Sequence, residues 1–341
     1  MRIGRQLANV PDEKTLEQSI ASWEAMPVDQ RFPASADWRP PRFETTLAHP
    51  FEVTGPGTYT KGHPRTLRFL PGENGWQLAR ADLQEQLPID VDVRNVWTAS
   101  RSIVLRSGRE SNYVRMSEHI IAHRLGLGLD NVTIELTSGD PPLFNVGSLP
   151  IAEGILNAGM TENPHRPLRY FTVREPVTLA GPNGSFLHLE PANPGDFLLH
   201  LDVGIDFSSA IGRQRIQFDL WKEAFMRGAH ARTNCPRSEV IFAMTIGKLF
   251  ADIRNLGYTR DNILIAGRKE YMNEPALVFD GKSLEAVWHR ACLDLVAALS
   301  LFRRGRLAGS VVSYKAGHNL DCRLMTLLEK QGLWQELAPP P

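Results

Sequence analysis

Ser117-Glu118-His119-Ile120-Ile121-Ala122-His123-Arg124-Leu125-Gly126-Leu127-Gly128 runs on through Leu129-Asp130-Asn131 into Val132-Thr133-Ile134-Glu135-Leu136. A serine three residues before Ile120, with apolar residues at helical spacing, predicts an amphipathic helix from about 117 to 125. Gly126 and Gly128 stop it, and residues 131–136 alternate as a half-buried strand does. On the helix a carboxylate stands beside an imidazole, and a second imidazole follows one turn on. Zinc hydrolases use such groups: a neutral His to ligate metal and a Glu to take a proton from water. An isolated Glu-His pair also occurs on ordinary helix surfaces, so the stretch alone leaves both readings open.

Working outward, 341 residues suggest two domains with ample apolar material for cores. Lys plus Arg and Asp plus Glu are balanced at 38 each, so no net field favours nucleic acid or an anionic membrane. Three widely spaced cysteines, Cys235, Cys292 and Cys322, argue against a disulfide framework and exclude a cysteine-rich zinc site. Apolar runs are short, which predicts a cytoplasmic protein with neither signal peptide nor membrane span.

Residues 1–44 read as an N-terminal extension. Leu16, Ile20 and Trp23 make one stripe of a short helix, and Pro27, Pro33, Pro40 and Pro41 keep the chain extended. Such an arm either docks on the body or remains a poorly ordered, separable tail. Residues 45–163 form a first α+β domain: strand-like pieces from Thr46 to Leu105, the 117–125 helix, the 131–136 strand and a helix at 151–158. Pro164 to Pro167 reads as a linker. Residues 168–334 form a second α+β domain. Its strands are expected at 169–173, 186–190, 197–206 and 213–220, with a helix at 239–255 and a strand pair within 262–279. A long helix at 284–303, a strand at 309–315 and a helix at 320–331 complete it.

The opening stretch has company downstream in His289-Arg290 with Leu293-Asp294, and in Tyr314-Lys315-Ala316-Gly317-His318. With Thr54-Gly55-Pro56-Gly57, Ala231-Arg232-Thr233 and Asp261-Asn262-Ile263 in the same order, the chain resembles the UDP-3-O-acyl-N-acetylglucosamine deacetylases, zinc enzymes of lipid A synthesis. The likeness spans about residues 45–330. It implies two α+β domains whose sheets sandwich their helices, with the active site between them. It also implies zinc held by His119, a second His and Asp294, Glu118 as general base, His318 as acid and Thr233 at the oxyanion. Lys315 would meet the diphosphate of a nucleotide-linked acylated sugar, and Arg290 is a further candidate for substrate binding.

The chain departs from that pattern at three places. The family sets its second zinc His four residues before the Asp, so that both lie on one helix face, about 40° apart. Here His289 precedes Asp294 by five residues, about 140° away on a regular helix. Either a residue has been inserted and a π-turn brings His289 back to the metal, or Arg290 has replaced the ligand, or His123 supplies it. A π-turn in the 284–303 helix is the condition for His289 as ligand. In addition, Ala298 stands where the family has an Asp that orients the acid His, and Asn145-Val146-Gly147-Ser148 replaces Asp-Gly-Ser. Three functional expectations follow: a divergent zinc-dependent deacetylase of a nucleotide-linked acylated amino sugar or related N-acyl compound, an impaired member that binds a ligand or partner and regulates the pathway, or a different deacylase on the same fold.

Overall fold

The computed structural model of the chain describes residues 3–8, 13–59, 63–236 and 256–340. The helix expected at 239–255 lies outside them. Strands and helices alternate through two main sheets, an α+β architecture. The first sheet has five strands in the order Phe51–Pro56, Pro64–Pro71, Val132–Leu136, Trp76–Arg80, Ile89–Asp90. The strand read from the opening stretch is therefore central. It pairs antiparallel to Pro64–Pro71 (Ile134 opposite Phe69) and parallel to Trp76–Arg80 (Ile134 opposite Leu78). The second sheet has seven strands: Arg5–Gln6, Val177–Ala180, Phe186–Glu190, Gly309–Tyr314, Leu199–Asp206, Arg213–Asp219 and Gln30–Phe32.

Helices fill the space between the sheets. Leu149–Ala158 packs on the edge strand Phe51–Pro56, the segment from Glu285 to Leu299 packs on the second sheet, and Glu118–Leu127 lies against Val296–Leu299. One continuous apolar core, from Leu67 and Phe69 through Ile120 and Ile121 to Val203 and Ile216, joins the two sheets through these helices. The opening helix is consequently not amphipathic. All ten of its residues are buried, because it has packed neighbours on every side, and its polar side chains must find partners inside. Arg124 does so by donating to the carbonyls of Ser300 (3.0 Å), Phe302 (2.6 Å) and Gly305 (3.1 Å). These include carbonyls that the end of the neighbouring helix leaves without intrahelical donors. Gly128 ends the opening helix in the left-handed region (φ 69°), where glycine is unstrained.

Pairing corrects two expectations and gives the N-terminal arm its docked reading. Residues 164–167 are no free linker: Met160–Pro167 is a strand running antiparallel to Phe43–Leu47. The pair expected within 262–279 does not form. Ile263–Ala266 runs parallel to Thr233–Pro236, and Val278–Phe279 turns back on Lys282–Ser283. The N-terminal region is built into the second sheet. Gln30–Phe32 forms its edge, and helix Glu13–Glu24 buries Leu16, Ile20 and Trp23 against Phe186 and Tyr314. Arg215, itself buried, donates to the carbonyls of Trp23 and Met26 at 2.9 and 3.0 Å. Among the described residues, no helix is long and apolar enough to cross a membrane.

Candidate functional site

Four element starts or turns converge beside a cleft of about 670 Å³ whose lining includes Arg290, Asp294, Lys315, His318 and Arg323. The first turn of helix Glu118–Leu127 brings Glu118 and His119. Strand Thr233–Pro236 begins on Thr233 and helix His318–Lys330 on His318. The fourth piece is the long helix, and it is not regular. Glu285–His289 is α-helical, Arg290–Leu295 is one π-turn, and Val296–Leu299 is α-helical again. The wider turn brings the five-residue spacing back onto one face. His289 Nδ1 comes to 3.4 Å from Asp294 Oδ1, which a regular helix does not permit.

The side chains form a tight cluster. The rings of His119 and His289 are 5.4 Å apart, and the Thr233 hydroxyl stands between their Nε2 atoms at 3.2 and 3.1 Å. His318 Nε2 faces Asp294 Oδ1 at 3.6 Å and Glu118 Oε1 at 3.8 Å. Glu118 is held from its other oxygen, which accepts from the Ile103 amide at 2.9 Å. Burial pushes its carboxyl up to about 7, against the opposing pull of His318. A base with that affinity is half-deprotonated near neutrality. Burial works against charge on Asp294 too, yet His318 beside it, with Arg290, outweighs it and holds the carboxyl below its ordinary value. Burial depresses His119 to about 3 and lowers His289, so both imidazoles are neutral. His318 is raised: burial opposes its charge, but Asp294 and Glu118 more than offset that.

A metal implied by these residue types can be tested on the donors themselves. Two neutral imidazoles and one ionised carboxylate are the donor set zinc takes. Asp294 Oδ1 and His289 Nδ1 are buried with no hydrogen-bond partner, as atoms awaiting another ligand are. In kind, the residues fit. Among the described residues, however, no three His, Cys, Asp or Glu donors meet at metal distance, and the Thr233 hydroxyl occupies the place where the two Nε2 atoms converge.

His123 is not in this group. It is fully buried, bonded through Nδ1 to the Ile120 carbonyl at 2.9 Å and set edge-on against Phe225, a packed histidine. Arg290 lines the cleft but turns its bonds inward: Nε donates to the Ala316 carbonyl (2.9 Å), and Nη2 to Ser313 Oγ (3.0 Å) and Asp321 Oδ1 (2.7 Å). Lys315 lines the cleft at a left-handed φ of 53°, a costly conformation for a side chain with a Cβ and one that recurs at functional turns. Asp321 and Arg323 escaped the sequence reading. The available signal was spacing: Asp321 lies three residues beyond His318, on the same helix face. The motif Ala231-Arg232-Thr233 also acquires a reason. Glu285, fully buried, accepts from the Arg232 amide (3.0 Å), Nε (2.7 Å) and Nη2 (3.0 Å), which anchors the residue before Thr233.

A buried Glu-His pair with a His and Asp across from it and a further His, beside one cleft of an α+β scaffold, is a set of residue types that hydrolases use. The family profile described as UDP-3-O-acyl N-acetylglycosamine deacetylase matches residues 44–330, and the chain belongs to that family. Among its relatives, a UDP-3-O-acyl-N-acetylglucosamine deacetylase of Solibacter usitatus is 27% identical over 83% of this chain and 90% of that protein. The deacetylase of Cellvibrio japonicus is 28% identical over 86% and 92%. A bifunctional enzyme LpxC/FabZ of Chlorobaculum tepidum is 30% identical over 86% of this chain and 66% of its own length.

Proposed function

We propose that the protein hydrolyses the N-acetyl group of a nucleotide-linked, acylated glucosamine, releasing acetate and a free amine. The observation that carries this reading is the π-turn, which brings His289 and Asp294 together opposite His119 despite their five-residue spacing. His119, His289 and Asp294 would hold zinc. A zinc held there would supply Lewis acidity, lowering the pKa of water towards about 7 and polarising the substrate carbonyl.

The remaining work falls to this chain's own groups. Glu118 accepts the proton of the attacking water, and its raised affinity lets it hold that proton near neutral pH. His318, raised and facing Glu118, donates a proton to the departing amine nitrogen. The Thr233 hydroxyl donates to the oxyanion. Lys315, at the cleft, meets the substrate diphosphate. Arg290 is better read as a positioning residue than as a substrate contact, since its Nε and Nη2 bonds are internal. A second reading, an impaired member that binds without turnover, draws on Ala298 and on the hydroxyl standing between the two imidazoles.

Metal analysis and acetate release from UDP-3-O-acyl-N-acetylglucosamine separate the two. The expected result is one zinc per chain and turnover. His119→Ala loses both, while Glu118→Ala keeps the metal and loses about 10²–10⁴-fold in rate. Purified protein with neither zinc nor turnover supports the impaired reading, and full zinc in His119→Ala removes the ligand assignment.

A further inference from the structure

Ala298 is buried in the helix Val296–Leu299, so the carboxylate expected there to steady His318 is missing. Another carboxylate stands one helical turn beyond His318. Side chains three apart on a helix are neighbours, with Cβ atoms about 5–6 Å from each other. Asp321 is 1% exposed, and only one of its oxygens is engaged: Oδ1 accepts from Arg290 Nη2 at 2.7 Å. Oδ2 is buried without a partner, and so is His318 Nδ1. Buried polar atoms are nearly always paired. A nitrogen and a carboxylate oxygen are thus left over three residues apart on one helix face, without touching each other.

The surroundings fix Asp321 rather than His318. Arg290 holds its other oxygen, and reaches the Ser313 hydroxyl and the Ala316 carbonyl on the strand and turn that lead into the helix. Arg290 in turn follows His289 directly, inside the π-turn. His318 Nε2 meanwhile faces Asp294 and Glu118.

We propose that Asp321, braced by Arg290, is the positioning residue of His318, its Oδ2 accepting from Nδ1–H in place of the carboxylate absent at position 298. The inference rests on the reading of His318 as the acid. In the ligand-free arrangement the two atoms are not yet in hydrogen-bond geometry, and such contacts often tighten only when substrate binds. With the proton fixed on Nδ1, Nε2 is the nitrogen that exchanges protons with the cleft. A carboxylate partner of this kind sets the tautomer and ring orientation of an imidazole, and its loss typically costs 10–100-fold.

The test uses full-length protein, ¹⁵N-labelled at histidine and freed of metal with chelator, together with kinetics of the metal-loaded enzyme. On the alkaline side of its titration His318 is expected as the Nδ1–H tautomer. Asp321→Asn should shift it towards Nε2–H and lower kcat about 10–100-fold with KM little changed. Ala298→Asp placed in the Asp321→Asn chain should recover part of kcat, which a merely structural role for Asp321 would not allow. Should Asp321→Asn fail to fold, Arg290→Met with Asp321→Asn removes the guanidinium left unpaired, and the tautomer is read there. An unchanged tautomer, or a kcat within about threefold of the parent, overturns the proposal. Full activity in His318→Ala, with the tautomer still dependent on Asp321, overturns the acid reading instead.

Discussion

Replacing Glu285 by Ala tests whether the Thr233 strand is held by one buried ion pair. Glu285 is fully buried and Arg232 8% exposed. The carboxylate accepts from three nitrogens of Arg232 at 2.7–3.0 Å and from the Ala276 amide at 2.6 Å. Truncation leaves a buried guanidinium and two amides without that acceptor. Breaking a buried pair from one side costs about 3–5 kcal/mol. At about 3 kcal/mol per molar of urea, that lowers the unfolding midpoint by about 1 M or more. The double replacement Glu285→Leu with Arg232→Met leaves no orphan charge and should recover most of the loss. Because Thr233 follows Arg232 directly, acetate release should also fall in the single variant. Urea unfolding followed by circular dichroism gives the answer. A midpoint within about 0.3 M of the parent for Glu285→Ala would mean that the pair contributes under about 1 kcal/mol, and the anchoring argument fails.

Deleting residues 1–42 should give an aggregating or unfolded product. Removal strips the second sheet of the strand Gln30–Phe32, Arg215 of two carbonyl acceptors, and Trp288 Nε1 of Gln30 Oε1 at 3.0 Å. A soluble, folded truncation by gel filtration would instead restore the separable arm expected from the prolines. His200 makes stability depend on pH on the alkaline side. Hydrogen bonds to Asp219 (2.6 Å) and Asp196 (2.8 Å) raise it to about 9 against opposing burial. Raised above its unfolded value, the imidazolium contributes stability fully below about pH 6.5 that disappears as pH rises through about 9. The side chain is 37% exposed, so solvent screening limits the effect to about 1 kcal/mol. The melting temperature of His200→Gln, compared with the parent from pH 6 to pH 10, should show a gap that closes at alkaline pH. A gap constant across that range contradicts the linkage.

Local pattern carried much of the scaffold. The strands expected at 186–190 and 213–220 form as Phe186–Glu190 and Arg213–Asp219, since short runs of this kind favour extended backbone whichever strand lies beside them. The five-residue spacing from His289 to Asp294 likewise named the condition, a π-turn, under which both could serve one centre. Partners were another matter. The stripe of Leu16, Ile20 and Trp23 announces a face to be covered, but not that Phe186 and Tyr314 cover it. Nothing local tells Ile263–Ala266 to run beside Thr233 rather than fold back on 278–279. Backbone donors accept any strand edge, and the choice depends on what else the core must bury. Charged groups show the same limit most sharply. Arg290 reads from the sequence as a cation for substrate, and only the fold shows its Nη2 donating to Asp321, thirty-one residues on, at 2.7 Å. Composition and spacing determined which chemistry the chain carries. The tertiary structure decided which charges are spent on each other and which face the cleft, because desolvation acts only once the chain has closed around them.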